Sequence, residues 1–65
     1  MKYIYNKIDE PNLLTIHNEV LNSVMNNKSL EYCTWDEDLK ELEIVFINEL
    51  NIEDKNILDL IIEQI

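Results

Sequence analysis

The sequence contains no glycine and no arginine, and it has one proline and one cysteine. Without glycine it has neither a Gly-rich loop to cradle a phosphate nor the sharp strand-to-helix turn that exposes a catalytic serine. Cys33 has no second cysteine with which to form an intramolecular disulfide, and this usage is typical of a reducing compartment. The composition therefore predicts an intracellular, non-enzymatic protein that needs no cofactor and no metal.

Basic residues are also scarce, because five Lys residues oppose 14 Asp and Glu residues, for a formal net charge of −9. Such a charge repels nucleic acid and attracts basic protein surfaces. No signal-peptide pattern is present, and no apolar run reaches the ~20 residues of a membrane span. We therefore expect a protein in the cytoplasm of the producing cell that binds neither nucleic acid nor membranes directly.

The apolar fraction of 46% is too high for a disordered acidic tail, and 65 residues suffice for one domain, spanning residues 1–65. A domain of about this size buries only about 60% of the surface that its unfolded chain exposes. Its core is thin, and no disulfide supports it. We therefore expect the chain to associate with itself, as a homo-oligomer, or with a larger protein assembly.

Hydrophobic periodicity predicts the first half of the fold. Residues 1–8 alternate, with Tyr3 and Tyr5 on one side and Ile4 on the other, which favours a short strand. Asp9-Glu10-Pro11 predicts a helix start with proline at the first helical position. Apolar residues then recur at spacings of three and four, and Asn26-Asn27 is the expected helix end.

The second half predicts an antiparallel hairpin and a closing helix. Residues 30–35 and 42–47 each alternate with period two, and the polar residues 36–41 connect them. Asn51 followed by Asp54 approximates a capping box before a helix that runs to the C-terminus. The predicted fold class is a small two-layer α+β domain, a helix, hairpin and helix with an additional N-terminal strand, in which the helices cover one face of the sheet.

Both faces of the predicted hairpin are partly apolar. Leu42, Ile44 and Phe46 share one face, whereas Val45 and Ile47 share the other, where Cys33 and Trp35 can also fall. If Trp35 shares this second face it is an interface residue, and a place in the packed core is the alternative. Either the N-terminal strand or another chain must cover this second face. The predicted interface combines it with the apolar end of the last helix and consists of Trp35, Val45, Ile47, Ile61 and Ile65.

Acidic residues are concentrated between positions 36 and 54, where eight of them oppose Lys40 for a local net charge of −7. The predicted acidic surface consists of Asp36, Glu37, Asp38, Glu41, Glu43, Glu49, Glu53 and Asp54. These carboxylates could imitate DNA phosphates, or they could simply solubilise the hairpin and complement a helix dipole. A Ca²⁺ loop starting at Asp36 is disfavoured, because Glu41 and Ile47 stand where Gly and Glu are required.

His17 and Cys33 are the remaining chemically notable residues. Together they could form a base and a nucleophile. No oxyanion hole is indicated in a glycine-free chain, and a packed histidine and a buried thiol are the simpler interpretation. We therefore predict no catalytic residue.

The segment from Trp35 through Phe46 and on to Glu53-Asp54-Lys55 and Ile61 resembles the second half of short proteins encoded among phage structural genes. In those proteins a hairpin is followed by an acidic turn and a short closing helix. The resemblance implies a virion-associated or assembly protein, present in multiple copies, that works by contact. A non-enzymatic viral structural or interaction protein is the first hypothesis, and an acidic DNA mimic that inhibits a nucleic-acid-binding host protein is the alternative.

Overall fold

A computed structural model describes residues 1–23 and 29–65 of the chain. Its elements are, in chain order, β1 (Lys2–Asn6), α1 (Leu13–Ser23), β2 (Leu30–Asp36), β3 (Glu41–Phe46) and α2 (Ile52–Glu63). The strands form an antiparallel sheet in the order β1-β3-β2. The predicted α+β fold is confirmed, and the N-terminal strand belongs to the sheet.

The sheet places β3 in the centre. Because β1 and β2 both run antiparallel to β3, they are parallel to each other, and α1 makes the connection between them. One expected arrangement, in which the N-terminal strand bends across the second face of the sheet, is wrong. In that position its backbone N–H and C=O groups would lack strand partners, whereas beside β3 the groups that face β3 are paired.

Helix α1 begins differently from the prediction. Its first residue is Leu13, and the side-chain oxygen of Asn12 accepts a hydrogen bond of 3.0 Å from the backbone N–H of Thr15. Asn12 therefore caps the helix, and Pro11 precedes the cap instead of occupying the first helical position. The predicted helix end at Asn26-Asn27 lies outside the described residues.

Helix α2 begins as predicted. Asn51 is its N-cap, and the Asn51 side chain accepts a hydrogen bond of 2.8 Å from the backbone N–H of Asp54. Glu53 and Asp54 lie in the first turn, where negative charge is favourable at the positive end of the helix dipole. The helix therefore starts at a position that local sequence determines.

The hairpin turn is built by the aspartate that precedes it. Asp36 Oδ1 accepts hydrogen bonds from the backbone N–H groups of Asp38, at 2.9 Å, and Leu39, at 3.1 Å. Lys40 closes the turn in the left-handed region, with φ of 55°. The acidic segment is therefore a turn stabilised by local hydrogen bonds from the backbone to an aspartate side chain.

Both helices cover the same face of the sheet, which we call the inner face. The core between the two layers consists of Ile16, Val20, Leu42, Ile44, Phe46, Leu50, Leu58, Ile61 and Ile62. Helix α1 contacts β2 and α2, whereas hydrogen bonds from Tyr5 and Lys7 attach α2 to the β1 side of the sheet. The opposite, outer face carries neither helix.

Candidate interaction surface

Trp35 and Cys33 lie on the inner face of the sheet. Trp35 is paired with Leu42 and Cys33 with Ile44, and directly opposed residues of antiparallel strands point to the same face. Leu42 and Ile44 are fully buried beneath the helices. The expectation that Trp35 and Cys33 share the outer face with Val45 is therefore wrong.

The surroundings of Trp35 are those of a core residue at a sheet margin. Its half-buried ring packs against the core, and Lys40 Nζ lies 5.3 Å from a ring centroid, which allows a cation–π interaction. The indole Nε1 is buried without a hydrogen-bond partner. Trp35 thus supports the fold, so a charged substitution there would disrupt the monomer as well as any interface.

The outer face is formed by three rows of paired residues. They are Lys2, Val45 and Tyr32; Ile4, Glu43 and Thr34; and Asn6, Glu41 and Asp36. The first two rows hold most of the apolar side chains and the third is polar. The aromatic residue on this face is Tyr32, which is not one of the five predicted interface residues.

The apolar part of this face is open to solvent. Ile4 is 51% exposed, Tyr32 49% and Ile47 63%, and Val45 between them is half-buried. Ile47 follows the end of β3, where its backbone N–H donates to the carbonyl of Ser29 at 2.7 Å. We call Ile4, Tyr32, Val45 and Ile47 the outer patch. Two predicted interface residues, Val45 and Ile47, belong to it.

Charged groups border the outer patch. Lys2 Nζ lies 3.7 Å from Glu43 Oε1, and both side chains are partly exposed. An exposed ion pair of this kind contributes little to stability, in the range of 0 to about 1 kcal/mol. Glu41 and Asp36 continue the acidic border towards the hairpin turn. The patch therefore combines an apolar centre with a mainly acidic rim.

The other two predicted interface residues lie elsewhere. Ile61 and Ile65 line a cleft of about 210 Å³ between the two helices, together with Thr15, Glu19 and Gln64. Ile61 is nearly buried in the core, whereas Ile65 is 42% exposed. Because the helices cover the inner face, this cleft and the outer patch lie on opposite sides of the molecule. The five predicted interface residues therefore do not form one surface.

The acidic residues are also divided. Asp36, Glu37, Asp38 and Glu41 lie at the turn end of β3, whereas Glu49 and Glu53 follow its other end. Five residue steps along β3 separate the ends by about 17 Å, roughly two Debye lengths at physiological salt. Asp54 is only 2% exposed and does not belong to the surface. This arrangement does not favour a single acidic strip.

A polar cluster that the sequence did not indicate connects β1 to α2. The Tyr5 hydroxyl donates a hydrogen bond of 2.6 Å to Asp59 Oδ1, and Lys55 Nζ binds the same oxygen. Lys55 Nζ also lies within 5.6 Å of the ring centroids of Tyr3 and Tyr5. Tyr3 connects β1 to the segment before α2, because its hydroxyl accepts a 2.8 Å hydrogen bond from the backbone N–H of Leu50.

The cluster changes the acidity of two of its members. Hydrogen bonds from Lys55 and Tyr5 lower the pKa of Asp59. Burial, together with the hydrogen bond to the negatively charged Asp59, raises the pKa of Tyr5 well above its usual value of about 10. The phenol therefore stays a donor and the carboxylate an acceptor at neutral pH. Tyr5 and Asp59 lie 54 positions apart in the sequence, and no periodic pattern links residues at that separation. The sequence therefore contains no signal for this contact.

The surroundings of the Cys33 thiol do not favour a reactive thiolate. The Cys33 thiol lies 3.6 Å from the carbonyl oxygen of Leu13, and burial raises the pKa of this thiol. A reactive cysteine needs the opposite shift, because the thiolate is the nucleophile. Among residues 1–23 and 29–65, no group of three or more His, Cys, Asp and Glu side chains is placed to hold a metal ion.

Neither a protein-family model, nor a curated protein, nor a solved structure matches this chain. Within the described part of the chain, neither helix has the length and apolar character needed to cross a membrane.

Proposed function

We propose that this chain is a non-enzymatic interaction protein that acts by contact within a larger protein assembly. The observation that supports the proposal is the outer patch, four apolar side chains gathered on the sheet face that neither helix covers. Exposed apolar patches with polar rims are typical of protein interaction sites. A role in virus assembly, with several copies in a virion, follows from the sequence resemblance alone.

The rim indicates the chemistry of the partner surface. Glu41, Glu43 and Asp36 border the patch, so a surface with aliphatic side chains surrounded by Lys or Arg complements it. The apolar centre supplies most of the contact area, and the charges orient the partner. A basic rim is therefore expected on the partner protein.

The test compares one isoleucine with one leucine whose side chains are almost equally exposed. Ile47 lies in the outer patch and is 63% exposed, and Leu39 lies in the hairpin turn and is 64% exposed. Ile47→Glu and Leu39→Glu add the same charge at the same exposure. We expect Ile47→Glu to lower the mass of the assembled protein measured by light scattering, and Leu39→Glu to leave it unchanged.

The salt dependence separates this contact from an electrostatic mimic. An apolar contact holds or tightens as ionic strength rises, whereas contacts between exposed charges weaken. The concentration series is therefore measured at low and high salt, with unfolding curves for each variant as a control for folding. Equal effects of both substitutions contradict contact through the outer patch, whereas a wild-type chain that remains a 7.8 kDa monomer at every concentration contradicts self-association through this patch and favours a different, basic partner protein.

A further inference from the structure

Strand β1 presents a free hydrogen-bonding edge. The backbone N–H of Phe46 donates to the carbonyl of Met1 at 2.8 Å, and the N–H of Lys7 donates to the carbonyl of Lys40 at 2.9 Å. In an antiparallel pair the residues bonded to the neighbouring strand alternate with residues whose backbone groups point away. The backbone groups of Lys2, Ile4 and Asn6 therefore point away from β3, and no element in residues 1–23 and 29–65 pairs with them.

The opposite edge of the sheet is protected and β1 is not. Strand β2 has a register irregularity between Leu30 and Tyr32, and its exposed side chains include Glu31 and Asp36. Bulges and charges are the usual means by which edge strands avoid pairing with other chains. Strand β1 pairs with β3 without a register shift, and residues 1–8 contain no acidic residue. Its outer-face lysine, Lys2, is paired with Glu43.

We propose that a second copy of this chain pairs with the β1 edge, antiparallel and with the twofold axis at Ile4, so that two three-stranded sheets become one sheet of six strands. The sequence of β1 fits this symmetry. Ile4 lies opposite Ile4 of the second copy, Tyr3 lies opposite Tyr5, and Lys2 lies opposite Asn6. The outward-pointing residues then form three pairs, each of which exchanges both backbone hydrogen bonds.

Charge and shape both favour a second copy at this edge. Two chains of net charge −9 repel each other, and pairing between two β1 strands places no acidic side chain of one strand opposite another. The pairing sets Lys against Asn rather than Lys against Lys. On the inner face it joins the half-buried rings of Tyr3 and Tyr5 to the same rings of the second copy. A twofold contact also closes on itself, so it ends at a dimer.

The decisive variant is Ile4→Pro. The N–H of Ile4 points away from β3 and has no strand partner in residues 1–23 and 29–65, so proline removes a hydrogen bond only from the dimer, and edge strands tolerate proline at such positions. Two hydrogen bonds are lost per dimer, and the pyrrolidine rings of the two introduced prolines obstruct the edge. We therefore expect the dissociation constant of the dimer to rise at least about 30-fold. Ile4→Thr is the matched control, because it keeps both the N–H and a β-branched side chain.

The second measurement is amide hydrogen exchange of Ile4 by NMR across a concentration series. We expect exchange to be fast in dilute protein and to slow as the dimer forms. A dimer in which the Ile4 amide exchanges rapidly, or in which Ile4→Pro and Ile4→Thr dissociate equally, overturns the proposal. If Ile4→Pro does not fold, Asn6→Pro tests the same edge, because the N–H of Asn6 also points outwards.

The β1 edge and the outer patch are different surfaces, so the two proposals can fail separately. If Ile4→Pro lowers the mass of the assembled protein and Ile47→Glu does not, the result supports edge pairing and contradicts self-association through the outer patch. The reverse result, with a rapidly exchanging Ile4 amide, supports the outer patch and overturns edge pairing. A wild-type chain that is monomeric at every concentration overturns pairing with a second copy. Pairing is also overturned if the Ile4 amide becomes protected from exchange only when a different protein is added and pairs with β1.

Discussion

The two faces of the sheet differ in how strongly the fold depends on them. The inner face carries Leu42, Ile44 and Phe46, all fully buried under two helices, whereas the outer face carries a patch that solvent reaches. Neighbouring residues of β3 therefore have different surroundings, since Phe46 lies in the core and Val45 lies on the solvent-facing side. One strand borders both the core and the solvent because successive side chains point to opposite faces.

The largest expected effect compares those neighbours directly. Phe46→Ala removes a fully buried ring that packs edge-on against Tyr3, and we expect it to lower the free energy of unfolding by about 3–5 kcal/mol. Val45→Ala should cost at most about 1 kcal/mol, because its side chain faces outwards. Urea unfolding of both variants measures the difference. Equal losses would contradict the assignment of the two faces.

The next effect concerns the polar cluster at the margin of the inner face. Tyr5→Phe removes the hydrogen bond to Asp59, and we expect a loss of about 1 kcal/mol at pH 7, since the site is partly exposed. Tyr32→Phe is the same substitution on the outer face and should change little. If both variants unfold at the same urea concentration as the wild type, the contact between β1 and α2 does not stabilise the monomer.

The same cluster predicts the direction of the pH dependence. The pKa of Asp59 is lowered in the folded protein, so its stabilisation is fully present above the unfolded value of about 3.9 and is lost as the pH falls through the lower, folded value. The difference between the wild type and Tyr5→Phe should therefore shrink as the pH falls below about 3.9. Urea unfolding of both proteins across this range measures it, and a constant difference would contradict the link to Asp59.

The smallest effect concerns the N-cap of α2, one of the two helices that cover the inner face. Asn51→Ala removes the acceptor for the Asp54 N–H and should cost about 1 kcal/mol or slightly less. Asn48→Ala, a nearby exposed position outside the helix, serves as the control. Thermal unfolding separates the two, and an unchanged midpoint for Asn51→Ala would show that α2 is positioned by packing alone.

Much of the fold could be predicted because its signals are local. The cap at Asn51 and the turn at Asp36 each depend on hydrogen bonds within three residues along the chain. The predicted start of α1 was wrong because two neighbouring residues, Pro11 and Asn12, are both good start signals. Only the hydrogen bond from Thr15 to Asn12 in the structure distinguishes them. The face on which each side chain of the sheet lies was predicted less well, since it depends on which residues a distant strand opposes.

Trp35 shows where local reasoning ends. Both alternating sets of β2 contain apolar or aromatic residues, so period two alone does not say which set faces the core. The pairing of Trp35 with Leu42, and the irregularity that lets Leu30 face inwards as well, decide it. Trp35 was therefore predicted to be an interface residue but lies against the core, whereas Tyr32 was not predicted to be one and lies in the outer patch.

The sequence by itself determined the α+β class, the hairpin, the cap of α2 and the acidic charge of −9, because these depend on composition and on neighbours along the chain. Only the tertiary structure decided that β1 lies at the edge of the sheet, that Tyr5 meets Asp59, and that the acidic residues separate to two ends. Those features arise from contacts between residues far apart in the chain. Such contacts are set by strand register and helix packing, which leave no periodic trace in the sequence.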